Sequence, residues 1–303
     1  MGMMVKDIIN IATRRLEDAG VPDAKNDAEI LYCHMRNIDR AKFFMEWPFN
    51  LEDELCDNYF ALLDLRAEGK PLQYITGKQN FMGFDLLVDE NVLIPRQDTE
   101  VLVAEAIAVI NNGKSERFKR NTEMKVEPRK HWKILDLCTG SGAIAVAIGR
   151  LCANVEITAS DISHAALEVA KKNVERHGLS KKVELAEGDL FTPFKKRFGK
   201  PRFDMIISNP PYIRSGEIPN LQREVKDFEP LTALDGGADG LDFYRKIIAE
   251  APEYLKKNGV LMFEIGFDQA EDVVRLLDEA PPYTDVGVMK DLAGNYRVII
   301  TRV

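Results

Sequence analysis

The chain has 303 residues, a formal net charge of −8, 45% hydrophobic and 30% charged residues. This is ordinary globular composition, enough for one large domain or two moderate ones. The acidic balance argues against a protein whose affinity comes mainly from neutralising phosphates. Four cysteines, Cys33, Cys56, Cys138 and Cys152, form no C-x-x-C pair or zinc spacing, which suits a reducing compartment and leaves no metal site to expect. The opening Met1 to Asp7 is not a signal peptide, and no apolar run approaches the ~20 residues that cross a bilayer. A cytoplasmic protein is expected.

Residues 1–77 read as a helical bundle. Val5, Ile8, Ile9, Ala12 and Leu16 recur at spacings of three and four, and Gly20 and Pro22 stop that helix. A second helical pattern runs from Ala24 towards Ile38, and a third from Leu51 to Leu65. No catalytic constellation lies here. A substrate-docking domain and a packing appendage are equal readings of the sequence. Residues 78–96 read as a β-hairpin linker: Phe81 to Val88 as strand material with a Gly-centred bend, Asp89-Glu90-Asn91 as a turn, Val92 to Ile94 as a second short strand.

From residue 97 to 303 strands and helices alternate. A helix at 101–110 precedes a polar stretch, 111–130, in which bases outnumber acids and which reads as a solvated surface insertion. Strands are expected at 133–138, 155–161, 183–186, 203–208, 260–265, 286–289 and 297–301. Ser163 is the N-cap of the clearest helix, Leu167, Ala170 and Val174 its apolar stripe, and Gly178 its stop. Such alternation predicts a mostly parallel sheet covered by helices on both faces. The last two strands are joined by a loop too short for a helical crossover, so they pair antiparallel. The fold class is therefore α/β, a Rossmann-like seven-stranded sheet of the kind found in methyltransferases, preceded by the bundle and hairpin.

Asp136-Leu137-Cys138-Thr139-Gly140-Ser141-Gly142 is a strand running into a Gly-rich turn and a helix. Such a turn lets a ligand approach the backbone and presents free N–H groups to an anion, either a dinucleotide pyrophosphate or a methionyl carboxylate. Three details favour the second. Position 145 is Ala where G-x-G-x-x-G has its third glycine. Asp136, just before the turn, can meet an ammonium group. Asp161, nineteen residues after Gly142, can accept from ribose hydroxyls, though this alone would also fit NAD. Asp189 and Leu190, after the third strand, are expected beside adenine.

The stretch Phe203 to Ile213 ends a buried strand in Asn209-Pro210-Pro211-Tyr212. The Asn209 side-chain oxygen and the Pro210 carbonyl make two acceptors, and consecutive prolines hold the second rigidly. A planar –NH₂ carries two donors. Tyr212 supplies a wall on which a flat group stacks. Two acceptors that draw density onto an amide nitrogen resist its delocalisation in the transition state. Orientation against a sulfonium methyl is worth up to ~7–11 kcal/mol. No histidine or cysteine is assigned a catalytic part, Glu264 reads as a structural hydrogen-bond acceptor and Arg297 as an ion-pair partner.

With these residues in view, the chain resembles the release factor glutamine methyltransferases, the PrmC/HemK family, over nearly its whole length. The resemblance rests on Pro71 to Gly77, Phe81 to Phe84, Val92 to Arg96, Asp136 to Gly142, Asp161, Ser208 to Ile213, and Phe228 to Leu241. It departs from the family's usual Pro-Arg-Pro-Glu-Thr-Glu at Gln97 and Asp98, and has Leu190 where some members have Trp. The resemblance implies methyl transfer from S-adenosyl-L-methionine to the side-chain nitrogen of the Gly-Gly-Gln glutamine in class 1 peptide-chain release factors. It implies cofactor contacts from residues 138–142, Asp161, Leu190 and Asn209, with Pro95 and Arg96 at the border. Residues 209–212 would hold the glutamine, and a monomer is expected.

The alternative is an amino-methyltransferase acting on adenine, cytosine or guanine, whose exocyclic amines are also planar –NH₂ groups. Such an enzyme usually extracts its base from a stack and grips phosphates. The charge balance and the lack of a nucleic-acid-binding module argue against stable binding of that kind. A non-catalytic scaffold is the other reading, and the intact glycine turn, Asp161 and Asn209 speak against it.

Overall fold

A computed structural model describes residues 3–113, 126–195 and 201–303. Most of the charged stretch at 111–130 lies outside these residues. Two compact units emerge: Met1–Lys78 with Gln222–Phe228, and Gln79–Leu221 with Glu229–Val303.

The smaller unit holds α1 (Val5–Asp18), α2 (Ala24–Arg36), α3 (Arg40–Glu46), α4 (Asp53–Ala67), α5 (Leu72–Thr76) and, from the later segment, a short helix at Arg223–Lys226. The three-and-four spacing of Ile8, Ile9, Ala12 and Leu16 puts them on one buried stripe against Leu31, Tyr32, Tyr59 and Leu63. The short α3 and α5 are additions to the sequence reading. Asp39 starts α3 by accepting from the Lys42 N–H at 2.8 Å. Arg66 is buried, donating to Asp27 at 2.7 Å and pairing with Glu224 at 2.9 Å, so it ties α2, α4 and the later segment into one body.

In the larger unit β1 (Lys78–Phe81) and β2 (Phe84–Leu87) pair as a separate two-stranded sheet, turning at Met82-Gly83. This corrects the expected hairpin in part: Asp89-Glu90-Asn91 does turn, the Val92 N–H donating to the Asp89 carbonyl at 3.2 Å, but Val92 to Ile94 form no strand. Gly83 at φ +81° and Met82 at φ +51° supply the left-handed pair that a two-residue hairpin turn demands. Phe81 and Leu86 are buried in the main core, so the hairpin packs within this unit.

Then come α6 (Gln97–Asn112), β3 (Trp132–Leu137), α7 (Ala143–Leu151), β4 (Val155–Asp161), α8 (His164–Arg176), β5 (Val183–Glu187), α9 (Thr192–Lys195) and β6 (Phe203–Ser208). Past β6, α10 is the Arg223–Lys226 helix. It is followed by α11 (Leu231–Leu234), α12 (Asp242–Glu250), β7 (Leu255–Glu264), α13 (Ala270–Asp278), β8 (Thr284–Lys290) and β9 (Tyr296–Arg302). The main sheet has the order β5-β4-β3-β6-β7-β9-β8. The strands from β5 to β7 are parallel, and β9 pairs antiparallel with both β7 and β8, as the short final loop required.

Both faces of the sheet are covered. Ile134, Met205, Ile207 and Met262 face one apolar layer with α6 and α7. Leu135, Ile206, Leu261 and Phe263 face the other with α12 and α13. The strands are therefore continuous apolar runs, with side chains alternating between two buried layers. The Ser163 cap accepts from the Ala166 N–H at 3.2 Å, and Gly178 closes α8 at φ +69°.

The order places the topological switch between β3 and β6. The chain runs from β3 to β4 and β5 on one side and from β6 to β7 on the other. Ligands bind outside the carboxyl ends of the strands at such a point. Among the described residues no helix is long and apolar enough to cross a membrane.

Candidate active site

The glycine turn leaves β3 and Asn-Pro-Pro-Tyr leaves β6, and the two strands are neighbours. Leu137 is in register with Ser208, whose hydroxyl donates to the Leu137 carbonyl at 2.8 Å. Register alone thus brings Cys138 and Asn209, the next residues of each strand, to the same edge. A cavity of about 430 Å³ opens there, within the range of small-molecule sites. Of the residues singled out from the sequence, Cys138, Gly140, Asp161, Asp189, Leu190, Asn209 and Pro211 line it. Asp136, Thr139, Ser141, Gly142, Pro210 and Tyr212 are not among its lining residues.

Asp136 is fully buried. Its Oδ2 accepts from the Thr139 hydroxyl at 2.6 Å; Oδ1 is buried without a hydrogen bond of ordinary geometry, and the Ala145 N–H also favours the ionised carboxylate. Burial pushes this acid up to about 7, against the hydrogen bonds that favour its ionised form. Asp161 accepts from the Gly140 N–H and the Ser163 N–H, both at 2.9 Å. A carboxylate has about four lone-pair sites, so capacity remains for hydroxyls in the cavity. Burial raises its pKa as well.

Cys138 and Leu190 line the cavity at φ +58° and +46°, a conformation that costs a side chain roughly 1–3 kcal/mol. Strain of this sort clusters where a fold must aim backbone at a ligand. Gly140 is half-buried with open space in front of its missing Cβ. Gly142 differs: a Cβ there would meet Ala170 of α8 at 3.2 Å, so this glycine serves helix packing.

On the β6 side, the Asn209 –NH₂ donates to the Thr99 hydroxyl of α6 at 3.1 Å. Among the described residues no donor reaches the Asn209 oxygen or the Pro210 carbonyl. Tyr212 is held at both ends. Its hydroxyl donates to Glu264 at 3.2 Å, and its carbonyl accepts from the Gln269 amide at 3.0 Å. Gln269 is itself buried, also donating to the Gly240 carbonyl and accepting from the Gly266 N–H. Burial pushes the Tyr212 phenol well above its ordinary value, so it stays protonated. Arg297 is an ion-pair partner, to Asp98 at 3.2 Å and Asp291 at 3.3 Å.

The sequence reading missed part of the lining. Asn91 to Leu93, expected as turn and strand, form a loop along the cavity, while Pro95 and Arg96 do not line it. Arg96 pairs instead with the buried Glu229. Pro230 to Ala233, Phe243 and Lys246 close the opposite side. Only the Phe228 to Gly237 motif hinted at them.

Two family models match the chain, the PrmC N-terminal domain over residues 7–77 and the methyltransferase small domain over 122–224. A curated release factor glutamine methyltransferase of Clostridium acetobutylicum is 37% identical over 298 residues, covering 98% of each chain. The chain belongs to the release factor glutamine methyltransferase family. A second family member, from Geobacter sulfurreducens, is also 37% identical, covering 99% of this chain and 96% of its own. The fold recurs in the solved structure of SMU.776 complexed with SAH, at a TM-score of 0.51 and 14% identity, over 84% of this chain and 68% of that one. Like its family, the chain is a methyltransferase that acts on protein.

Proposed function

We propose that the chain transfers a methyl group from S-adenosyl-L-methionine to the side-chain nitrogen N5 of the glutamine in the Gly-Gly-Gln motif of class 1 peptide-chain release factors. The observation that carries this is the pairing of Leu137 with Ser208, which sets a carboxylate-and-glycine cradle beside an asparagine with its oxygen unengaged.

The residues fit the cofactor. Asp161 has spare acceptor capacity for ribose hydroxyls, and Gly140 leaves open space before the backbone. Asp136 holds the turn through the Thr139 hydroxyl, and its carboxylate would favour an ammonium group near that turn. Asp189 and Leu190 are assigned to the adenine end, and Cys138, Thr139, Ser141 and Gly142 shape the turn. When bound, the sulfonium supplies an electrophilic methyl carbon.

Asn209 and Pro210 then accept the two N–H groups of the target amide, and Pro211 and Tyr212 wall its plane. Two acceptors on one nitrogen hold its lone pair towards the incoming carbon, where it has least overlap with the carbonyl. The product nitrogen is strongly acidic once alkylated, so no general base is required. The helical unit is assigned to docking the release factor, with the enzyme acting as a cytoplasmic monomer.

The test is mass measurement on a purified class 1 release factor after incubation with enzyme and cofactor. One added methyl on the Gly-Gly-Gln peptide is expected, lost in Asn209→Ala while cofactor affinity is retained. Transfer to nucleic acid and not to the release factor would overturn the reading.

A further inference from the structure

We infer that the Ser160 hydroxyl, buried and unpartnered near the end of β4, is a further binding group of this site, one that hydrogen-bonds the adenosine half of S-adenosyl-L-methionine from the floor of the cavity. The inference rests on the function proposed above and adds a contact that the sequence motifs do not announce.

Leu137 of β3 has a serine beside it on either side, Ser160 of β4 and Ser208 of β6. Both serines are buried. A buried hydroxyl without a partner destabilises the fold, because it has lost its water and gained no replacement. Ser208 avoids this by donating to the Leu137 carbonyl at 2.8 Å. Ser160 does not: its Oγ has no hydrogen-bond partner among the described residues. Its main-chain carbonyl has a separate task, accepting from the Thr139 N–H at 3.0 Å and so anchoring the glycine turn. The two serines differ in one further respect. Ser160 borders the cavity and Ser208 does not. Among the described residues, Ser160 is the one buried side chain without a hydrogen bond that borders it. An orphaned polar atom in a native fold calls for a partner from outside the chain, and here the cavity is where one enters.

Strand register indicates which part of the ligand it meets. Ser160 pairs with Leu137 and with Ala186 of β5, and both belong to the apolar layer that holds Leu190. In-register residues of neighbouring strands share a face, so Ser160 faces the layer of Leu190, the end assigned to adenine. It also directly precedes Asp161, assigned to the ribose. A hydroxyl carries one donor and two acceptor lone pairs. The edge of adenine offers ring nitrogens that accept and an amine that donates, and either suits this group. The charged methionyl end belongs instead with the glycine turn and its free N–H groups.

Ser160→Ala and Ser208→Ala in the full chain test this. The readouts are calorimetry with S-adenosylhomocysteine and with adenosine, and urea unfolding without ligand. Ser160→Ala should weaken the binding of both ligands roughly 2- to 13-fold, the scale of one neutral hydrogen bond. Its unfolding midpoint should equal or exceed that of the wild type, because the variant removes a hydroxyl that no protein group satisfies. Ser208→Ala, which loses a bond made within the fold, should show a lower midpoint. A Ser160→Ala midpoint that falls as far as that of Ser208→Ala marks the hydroxyl as structural and refutes the proposal. Unchanged affinity for S-adenosylhomocysteine also refutes it, since the hydroxyl then meets only water. A loss that adenosine does not share overturns the assignment to the adenosine half. A wild-type chain that binds neither ligand refutes the cofactor reading instead.

Discussion

The two glycines of the cofactor turn should respond differently to the same methyl group. Gly140 and Gly142 both sit at positive φ, +53° and +79°, so alanine at either carries a left-handed penalty of ~1–2 kcal/mol. At Gly140 the new Cβ meets nothing within 4 Å, so this penalty is the whole cost to stability. At Gly142 it meets the Ala170 Cβ at 3.2 Å and its Cα at 3.4 Å, a methyl fixed to the helix backbone and the backbone itself, neither of which can swing aside. Overpacking of that kind adds about 1–3 kcal/mol. Gly142→Ala should therefore cost roughly 2–5 kcal/mol, a large share of a typical domain's ~5–15 kcal/mol. Urea unfolding with intrinsic fluorescence measures both variants, and calorimetry with S-adenosylhomocysteine measures binding. Gly140→Ala should lower the midpoint only by the amount that ~1–2 kcal/mol sets, yet bind the nucleoside more weakly, because its methyl projects into space a ligand would take. Gly142→Ala should show the lower midpoint. Equal midpoints would refute the division of labour between ligand approach and helix packing.

Asp161→Asn keeps the shape but removes the charge that strengthens hydroxyl bonds; losing one such bond, ~1.5–3 kcal/mol, should weaken nucleoside affinity by roughly 10- to 150-fold in calorimetry. Asp136, lifted by burial from 3.8 to about 7, favours folding while protonated; its contribution is full below pH 4 and is lost as pH rises through 7. Denaturant midpoints should accordingly decline across that window, and Asp136→Asn should flatten the decline. Asp204 is buried at the start of β6, where it meets Arg129, Lys256 at 2.8 Å and the Lys133 N–H at 2.7 Å. Asp204→Ala should cost ~3–5 kcal/mol in urea unfolding, with nucleoside affinity unchanged at temperatures where the variant is folded.

The sheet was legible because each buried strand is a short apolar run and each helix carries its own stripe and stop. Ser163 and Gly178 bounded α8 to the residue, and the short loop before Tyr296 dictated the antiparallel end. The candidate site was half legible. Gly140, Asp161 and Asn209 announce themselves by type and position relative to a strand end. The rest of the lining comes from loops whose course is set by distant contacts. Val92 to Ile94 read as a strand because all three are apolar, but the burial of Val92 and Ile94 comes from packing within the larger unit, not from strand pairing. The bend at Gly83 was legible, but the strand pairing was assigned across Asp89-Glu90-Asn91, the more polar turn, whereas it closes at Met82-Gly83, whose left-handed backbone fits a two-residue hairpin. Thr99 lies 110 positions from Asn209 in sequence. No local pattern joins them; only the stacking of α6 over β7 does.

One buried amide bears on how this enzyme can be cut down or grafted. Asn173 of α8 bonds the Leu87 N–H at 2.7 Å, the Leu87 carbonyl at 2.9 Å and the Ser141 carbonyl at 2.9 Å. It staples the hairpin to the glycine turn. A shortened version beginning at α6 would strand that amide with one partner of three and loosen the cradle it braces. Engineers seeking a minimal catalyst should start no later than Gln79.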